Sequence, residues 1–427
     1  MNDFPPPGPS NQHRDRRWLI VLVLCAFAVR VGFVLTRPTD FHTLAATLPD
    51  QGEYLQLARH LLAGDGLVMW DGRFQQYIHA YRTPGYPAFI ALFGANVRLV
   101  LIAQAVLDAS CVAAVWVLLR RLVAVSNAQQ SAGAILAAGL VAVNPFLIYF
   151  SGTLLSETLF TALLIWGMVM LVGFESWPED VCTIAGSVLL ALAVLVRPSA
   201  LWLPPVLGLI AAGLGGRSRI WGALVPLVVV ALALFPWAYR NHQLLDRWVW
   251  TTTNSGITLY DGFNPRADGS SNQDFLKDEP GLLLRVRAMS ETERDAYFSR
   301  VAREYIQTHP SRVPSLTVAK LARTWSPVPL SSQFGSNRSY VVAGFCYAGP
   351  LFALTLWGLV TKRLSKSAKV FLMLPALYFT LVHAISVGSL RYRVPADVPM
   401  AVVAGIAVSR RSPVVSQRSE QLVSPDN

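Results

Sequence analysis

The chain has 427 residues, 53% hydrophobic and only 14% charged, with a mean hydropathy of +0.43. Soluble proteins carry about 25% charged residues, so this composition excludes an ordinary soluble protein and points to an integral membrane protein. The net charge of +11 raises nucleic-acid binding, but the basic residues alternate with apolar runs and form no continuous groove, so no nucleic-acid partner is expected.

Residues 1–17 open with MNDFPPPGPSNQH, a polar, Pro-rich stretch with little to bury, which reads as a disordered tail. About ten apolar runs follow, each close to the roughly 20 residues that cross a ~30 Å hydrocarbon layer as a helix. They are Trp18–Thr36, Val97–Leu119, Gly133–Phe150, Thr158–Phe174, Val181–Val196, Leu201–Leu214, Ile220–Ala238, Tyr340–Val360, Val370–Val387 and Val394–Val408. Arg30 interrupts the first, and Pro395, Asp397 and Pro399 interrupt the last. An intramembrane charge is a functional hint, although Arg30 also fits a pair inside the bundle. The first run has full helix length and no small-residue cleavage site after it, so it is expected to stay as an anchor.

Positive charge near the span ends sets the orientation. Arg14, Arg16 and Arg17, then Arg120 and Arg121, then Arg217 and Arg219, then Lys362, Arg363, Lys366 and Lys369, then Arg410 and Arg411 share one side if the spans alternate. That side is read as the cytoplasm, with the uncompensated loop Glu175–Asp180 a mild exception. The expected organisation is a transmembrane core 18–238 with an exoplasmic loop 37–96, a large exoplasmic loop 239–338, C-terminal helices 339–409 and a cytoplasmic tail 410–427. The fold class is an all-α, multi-pass protein of the plasma or inner membrane, with both termini inside. Cys25, Cys111, Cys182 and Cys346 all fall within spans and read as small packing residues. No internal repeat is present.

In the first loop, Tyr54, Leu55, Ala58, Leu61 and Leu62 recur at helical spacing and predict an amphipathic helix on the membrane surface, ended by Gly64 and Gly66. In the second loop, Ser290 and Glu293 predict a capping box ahead of Tyr297, Val301, Tyr305 and Ile306. Its first half, TTTNSGITLYDGFNPRADGSSNQ, predicts turns.

Four exoplasmic stretches put polar groups at span ends: PDQGEY (49–54), YRTPGYP (81–87), SGTLLSETL (151–159) and SLRYRVP (389–395). Asp50 and Glu53 fit a helix cap as well as a catalytic pair, and Ser156 or Glu157 fits the cap of the next span. Arg82, Arg197, Arg240, Arg391 and Arg393 lie on the exoplasmic side, against the positive-inside trend. Anionic lipid headgroups account for Arg197 and Arg240 as well as a substrate does. A phosphorylated substrate is the sharper reading, because guanidinium forks match phosphate oxygens. Carboxylates and arginines at a membrane surface suit glycosyl transfer from a lipid-linked sugar phosphate: a carboxylate takes the acceptor proton and cations stabilise the departing phosphate.

The chain resembles the GT-C superfamily of polyprenyl-phosphate-sugar-dependent glycosyltransferases, in particular the dolichyl-phosphate-mannose protein mannosyltransferase-like group and the bacterial aminoarabinose lipid A transferases. The resemblance covers most of 18–408. It rests on Pro49, Asp50 and Tyr54 in a PD-x-x-x-Y motif, RTPGYP, NPF…SETLF, LVRPSA, PWAYRN followed by TTTNSGITLYDGFNP, THPSRVPSLTVAKLARTWSP and RYRVPADVP. It implies a GT-C-like polytopic bundle with Asp50 as catalytic base or acceptor-orienting group and Glu157 as the second acidic position. Arg82, with Arg391 or Arg393, would contact the donor phosphate, and Arg240 is a further candidate. Gln51 stands where the commoner Asp-Glu pair has its second acid, so Glu53 is assigned a structural role. Tyr54 and Tyr86 read first as packing or interfacial aromatics and second as acceptor or sugar supports. Asn254 and Asn264 fit turns as well as acceptor contacts. His79 and His383 lack partners at metal-ligand spacing, so no metal site or required cofactor is expected, and a divalent cation is left open.

The expected partners are the bilayer, a polyprenyl-phosphate sugar donor and a glycolipid, glycan or protein acceptor. A transporter or flippase of a lipid-linked sugar is the alternative, kept open by Arg30 and Asp397. A glycan polymerase or ligase is a third reading.

Overall fold

The computed structural model describes residues 9–122, 127–174, 176–216, 218–330 and 337–408. Arg217, Glu175 and the tail containing Arg410 and Arg411 lie outside the described residues, as do residues 1–8. The first helix, Pro9–Leu35, starts before the apolar run, so residues 9–17 are helical rather than a disordered tail. Asp15 lies beside Arg120 at 3.4 Å, which ties the polar end of that helix to its neighbour.

All ten apolar runs are helical. Six described helices are long and apolar enough to cross a membrane: Arg14–Leu35, Val97–Leu122, Glu179–Val196, Arg219–Leu245, Arg338–Val360 and Lys366–Ile385. Ala132–Ala142 and Pro145–Ser151 make a seventh if the pair, bent by 49°, is one span. Glu157–Val172, Leu203–Leu214 and Val394–Val408 are apolar but shorter. The chain is thus a polytopic helical membrane protein, with the expected ten runs divided between full spans, one broken span and three short helices.

The last helix, Val394–Val408, is the most enclosed, buried along nearly its whole length against Val97–Leu122, Asn127–Ala142, Arg338–Val360 and Lys366–Ile385. That position explains how it carries charge. Asp397 pairs with Arg393 at 3.1 Å, both sealed from solvent and lipid. Arg30 is handled likewise: it pairs with Asp108 and donates to the carbonyls of Ala26, Val141 and Ala142. Leu24, Leu232, Leu356 and Leu381 stay exposed on their helices, an apolar surface that suits lipid.

The first loop carries two helices, Phe41–Thr47 and Pro49–Ala63, a hairpin of Met69–Asp71 and Gln76–Ile78 in register Trp70↔Tyr77, and the helix Gly85–Leu92. The apolar stripe of Pro49–Ala63 turns inward: Tyr54, Leu55, Leu57 and Ala58 are buried while Leu62 is exposed. Its face is therefore used on the protein, not on the bilayer as expected. Gly52 permits this, since a Cβ there would stand 2.8 Å from Cβ of Ala45.

The second loop folds into the helices Ser255–Gly262, Phe275–Asp278, Pro280–Arg287, Glu291–Thr308 and Arg312–Thr324. The first four share a small core of Ile257, Tyr260, Phe275, Val286 and Phe298, joined by Phe74 of the first loop, while Arg312–Thr324 packs Leu316 with Phe263 and Ala267. The capping box of Ser290 and Glu293 is present. Ser255–Gly262, expected as turns, is a helix because Gly256 lets it lie directly on the backbone of Asp295 and bury Ile257 and Tyr260. Glu291 then ties the two loops together, its carboxylate accepting from the backbone N–H of His79 and Ala80, both at 2.8 Å, and from Thr253.

Candidate active site

The helix Pro49–Ala63 starts at Pro49 with Leu48 in the cap position and no side-chain cap bond. Asp50 and Glu53 are therefore free of the capping duty that their spacing also fitted. Both turn to Arg82, three residues beyond the hairpin's following turn residue His79. One terminal nitrogen of Arg82 donates to Asp50 Oδ1 at 2.7 Å and to Glu53 Oε2 at 2.5 Å, and its Nε donates to Glu53 Oε2 at 2.9 Å. The guanidinium also lies over the Tyr54 ring at 5.2 Å.

The second oxygen of Asp50 accepts from Arg391 Nη1 at 2.8 Å. Arg391 sits in the short 3-10 turn Leu390–Tyr392 between the last two membrane helices, and its Nε donates to Glu157. Glu157 is the first residue of the helix Glu157–Val172, and Ser156 makes no side-chain cap bond, so this acid too is diverted from capping. Arg197, just past the helix Glu179–Val196, completes the chain at 3.1 Å from Glu157. Residues 50, 53, 82, 157, 197 and 391 thus form one alternating row of acids and arginines, Glu53–Arg82–Asp50–Arg391–Glu157–Arg197, at one end of the bundle.

Exposure separates the two acids expected to be catalytic. Asp50 keeps 27% of its side chain open, with Arg82 at 18% and Arg391 at 25%, whereas Glu157 is 1% exposed. Asp50 can meet a ligand. Glu157 lies behind Arg391 and Arg197 and pairs with both. Burial pushes the Asp50 carboxyl up, but the charges of Arg82 and Arg391 and their hydrogen bonds outweigh it and hold the group well below the usual carboxylate range. Burial works against the charge of Arg82 and Arg391 as well, and the carboxylates beside them more than restore it.

The backbone beneath this row is fixed by close contacts. Gln51 is buried between Asp50 and Glu53 levels of the helix, donating to the Leu44 carbonyl at 3.2 Å and accepting from Leu154 N–H at 2.9 Å. Gly85 packs on the end of Glu179–Val196, where a Cβ would stand 2.7 Å from the Leu195 carbonyl carbon. Tyr392 stacks on His383 at 3.7 Å between ring centroids, with the Arg197 guanidinium 5.6 Å from its ring.

Other expected site residues lie elsewhere. Arg393 turns into the bundle to Asp397, between the rings of Phe146 and Phe352, and does not join the row. Arg240 donates to the carbonyls of His79 and Leu67, both at 2.7 Å, and so braces the first loop. Tyr86 is fully buried, donates to Gln104 Oε1 at 2.6 Å and meets Tyr54 edge-on at 4.8 Å, the geometry of packing aromatics. Asn254 precedes the helix Ser255–Gly262 without capping it and has no bond to the row. Asn264 serves its own turn, donating to the Tyr260 carbonyl and accepting from Arg266 N–H.

Three residues join the site that sequence reasoning did not choose for it: Glu53, assigned to structure, Arg197, balanced against lipid headgroups, and Arg73. Arg73 is held by Asp71 and stands 3.9 Å from Glu53. For Glu53 and Arg197 the signal was present, an acid one helical turn from Asp50 and an arginine outside the positive-inside pattern. For Arg73, placed by the hairpin, it was not. Among the described residues no three His, Cys, Asp or Glu side chains converge in a group that could hold a metal.

No family model and no curated protein sequence matches the chain. Its fold, however, recurs in solved structures: it is the GT-C-like polytopic helical fold that the sequence resemblance implied. One such structure is the archaeal oligosaccharyltransferase AglB from Archaeoglobus fulgidus, in complex with an inhibitory peptide and a dolichol-phosphate. The TM-score is 0.53 at 14% identity, over 96% of this chain and 52% of that one. A second is ArnT from Cupriavidus metallidurans bound to undecaprenyl phosphate, with a TM-score of 0.51 at 15% identity, over 95% of this chain and 62% of that one. The chain therefore spans about half the length of the first and less than two thirds of the second.

Proposed function

We propose that the protein is an inverting glycosyltransferase that moves a sugar from a polyprenyl-phosphate donor to an acceptor hydroxyl on the exoplasmic face of the membrane. The observation that carries this reading is Asp50, a reachable carboxylate with a different arginine on each oxygen, on a fold shared with two proteins solved with polyprenyl phosphates.

The row of charges suits both halves of the reaction. A donor phosphate competes with Asp50 for Arg82 and Arg391, since guanidinium forks take phosphate oxygens in the same planar geometry. The acceptor oxygen attacks the anomeric carbon and forms the new glycosidic bond. The bond from that carbon to the phosphate oxygen breaks, and its electron pair leaves with the lipid phosphate between the two arginines. The acceptor proton passes to Asp50. Before binding, the arginines keep Asp50 a weak base; as phosphate draws them away, its proton affinity rises when the proton has to be taken. Glu157 keeps Arg391 and Arg197 in place throughout. These steps are carried by the chain's own side chains, with no cofactor required and a divalent cation left open.

Purified protein incubated with a panel of polyprenyl-phosphate sugars and lipid extract, with products read by mass spectrometry, tests the proposal. Transfer of one sugar to a new lipid, glycan or protein acceptor is expected. Loss of a positioned base costs about 10²–10⁴ in rate, so Asp50→Asn is expected to lose nearly all turnover while remaining folded. Wild-type rates in that variant remove Asp50 from the chemistry.

A further inference from the structure

Lys320 lies outside the charged row, yet its side chain is completely buried. It sits on the helix Arg312–Thr324, with Nζ 3.3 Å from the centroid of the Phe263 ring and donating to the Ile385 carbonyl at 3.3 Å. Burying an ammonium is costly, so such a residue is kept for what it holds. Burial pulls it down to about 8, against the pull of Asp261. Asp261 faces the other way, accepting from Ser271 Oγ at 2.7 Å and Asn272 N–H at 2.9 Å.

The backbone of Lys320 also presses on the turn that leads to Arg391. A Cβ on Gly388 would stand 2.6 Å from Cα of Lys320, and one on Gly262 would stand 3.0 Å from its Nζ. Gly388 precedes Arg391 by three positions and donates its N–H to the Gly269 carbonyl at 2.8 Å. From Gly269 the chain runs past Ser271 and Asn272 to Gln273, whose Oε1 accepts from Arg73 at 2.6 Å. Arg73 stands beside Glu53, the partner of Arg82. The segment Gly269–Gln273 is therefore attached at one end next to Arg391 and at the other next to Arg82.

We propose that Lys320 is a positioning residue for the charged row: its ammonium holds the Ile385 carbonyl at the start of the turn that leads to Arg391, its backbone backs Gly388 where that turn bonds Gly269, and together they set the separation of Arg391 from Arg82. The inference rests on the reading of that row as the donor-phosphate site. Two glycines make these contacts close enough to act, and Phe263 keeps the ammonium where it reaches Ile385. A change in the Lys320 side chain touches no residue of the row, so its effect has to travel from the Ile385 carbonyl along the turn 386–390 to Arg391.

The test measures binding of a short-chain polyprenyl monophosphate to the full chain in lipid nanodiscs. Wild type, Lys320→Met, Arg391→Lys and the double variant are compared, with thermal unfolding of each. The expected result is about tenfold weaker binding by K320M, and little further loss when K320M is added to R391K, since residues acting through one contact are not additive. Equal binding by wild type and K320M overturns the proposal, as does a K320M loss of the same size in the R391K background. If K320M fails to fold, Gly388→Ala carries the test, because its Cβ drives the same turn off Lys320: unchanged binding then overturns the proposal. Absence of binding by wild type instead overturns the donor-phosphate reading itself.

Discussion

Asp50 is bound on both oxygens by arginines from distant parts of the chain, and this has a consequence that can be measured. Its carboxyl is held below the ordinary value, so it contributes stability that is present above that value and lost as pH falls through the lower, folded one. The unfolding temperature of the wild type is expected to fall off below about pH 4, and Asp50→Asn to lack that part of the decline. For the same reason Asp50 contributes no acid limb to kcat/KM of the free protein above about pH 5. Glu157 makes a separate case. Its side chain faces two arginines in a buried place, and removing one partner of a buried ion pair costs about 3–5 kcal/mol because a charge is left uncompensated. Glu157→Gln is expected to lower the unfolding temperature and weaken donor binding together, whereas Asp50→Asn acts mainly on turnover.

At the scale of elements, the helix Pro49–Ala63 shows why pattern alone misassigns roles. Its D-x-x-E start fits a capping box, and Ser290 with Glu293 uses the same logic successfully. The difference is Arg82, which draws Asp50 and Glu53 sideways from the helix end. The apolar stripe likewise predicted a surface helix, and the partner that buries it, the helix Gly85–Leu92, is another part of the same loop. Gly85 fixes where that partner sits. Inserting a methyl group into such a contact costs about 1–3 kcal/mol when backbone has to move, and here the backbone met is Leu195 and Val196. Gly85→Ala is expected to displace the segment carrying Arg82 and to lose transfer activity, measured beside Gly213→Ala, where the nearest neighbour is an arginine side chain 3.5 Å away and both activity and folding are kept.

At the scale of the whole molecule, the intramembrane charges that kept a transporter in view are internal ties. Arg30 with Asp108 and Arg393 with Asp397 each close a pair inside the bundle. The charged row collects instead at one end, opposite the end where Asp15 meets Arg120 and Arg363 donates to the Ile406 and Ala407 carbonyls. The proposed orientation rests on the positive-inside bias, and that polarity puts the row on the side opposite the basic ends. In right-side-out vesicles, cysteine placed at the exposed Leu62 is expected to react with an impermeant thiol reagent from outside, and cysteine at Lys362 only after permeabilisation; the reverse pattern overturns the exoplasmic site.

The sequence by itself determined the membrane class, the ten apolar runs and the first loop, which carries Asp50, Glu53 and Arg82, because hydrophobic length and charge bias act locally along the chain. It also brought Asp50, Arg82, Glu157 and Arg391 forward, since each is a charge at a span end. Only the tertiary structure decided which charges meet. Arg391 reaches Asp50 while Arg393, two positions on and one helical turn from Asp397, points into the bundle. Lys320, which nothing in the sequence singled out, is buried because Gly262 and Gly388 let two distant backbones close around it. Partner choice at such distances depends on how helices pack, and no local pattern encodes it.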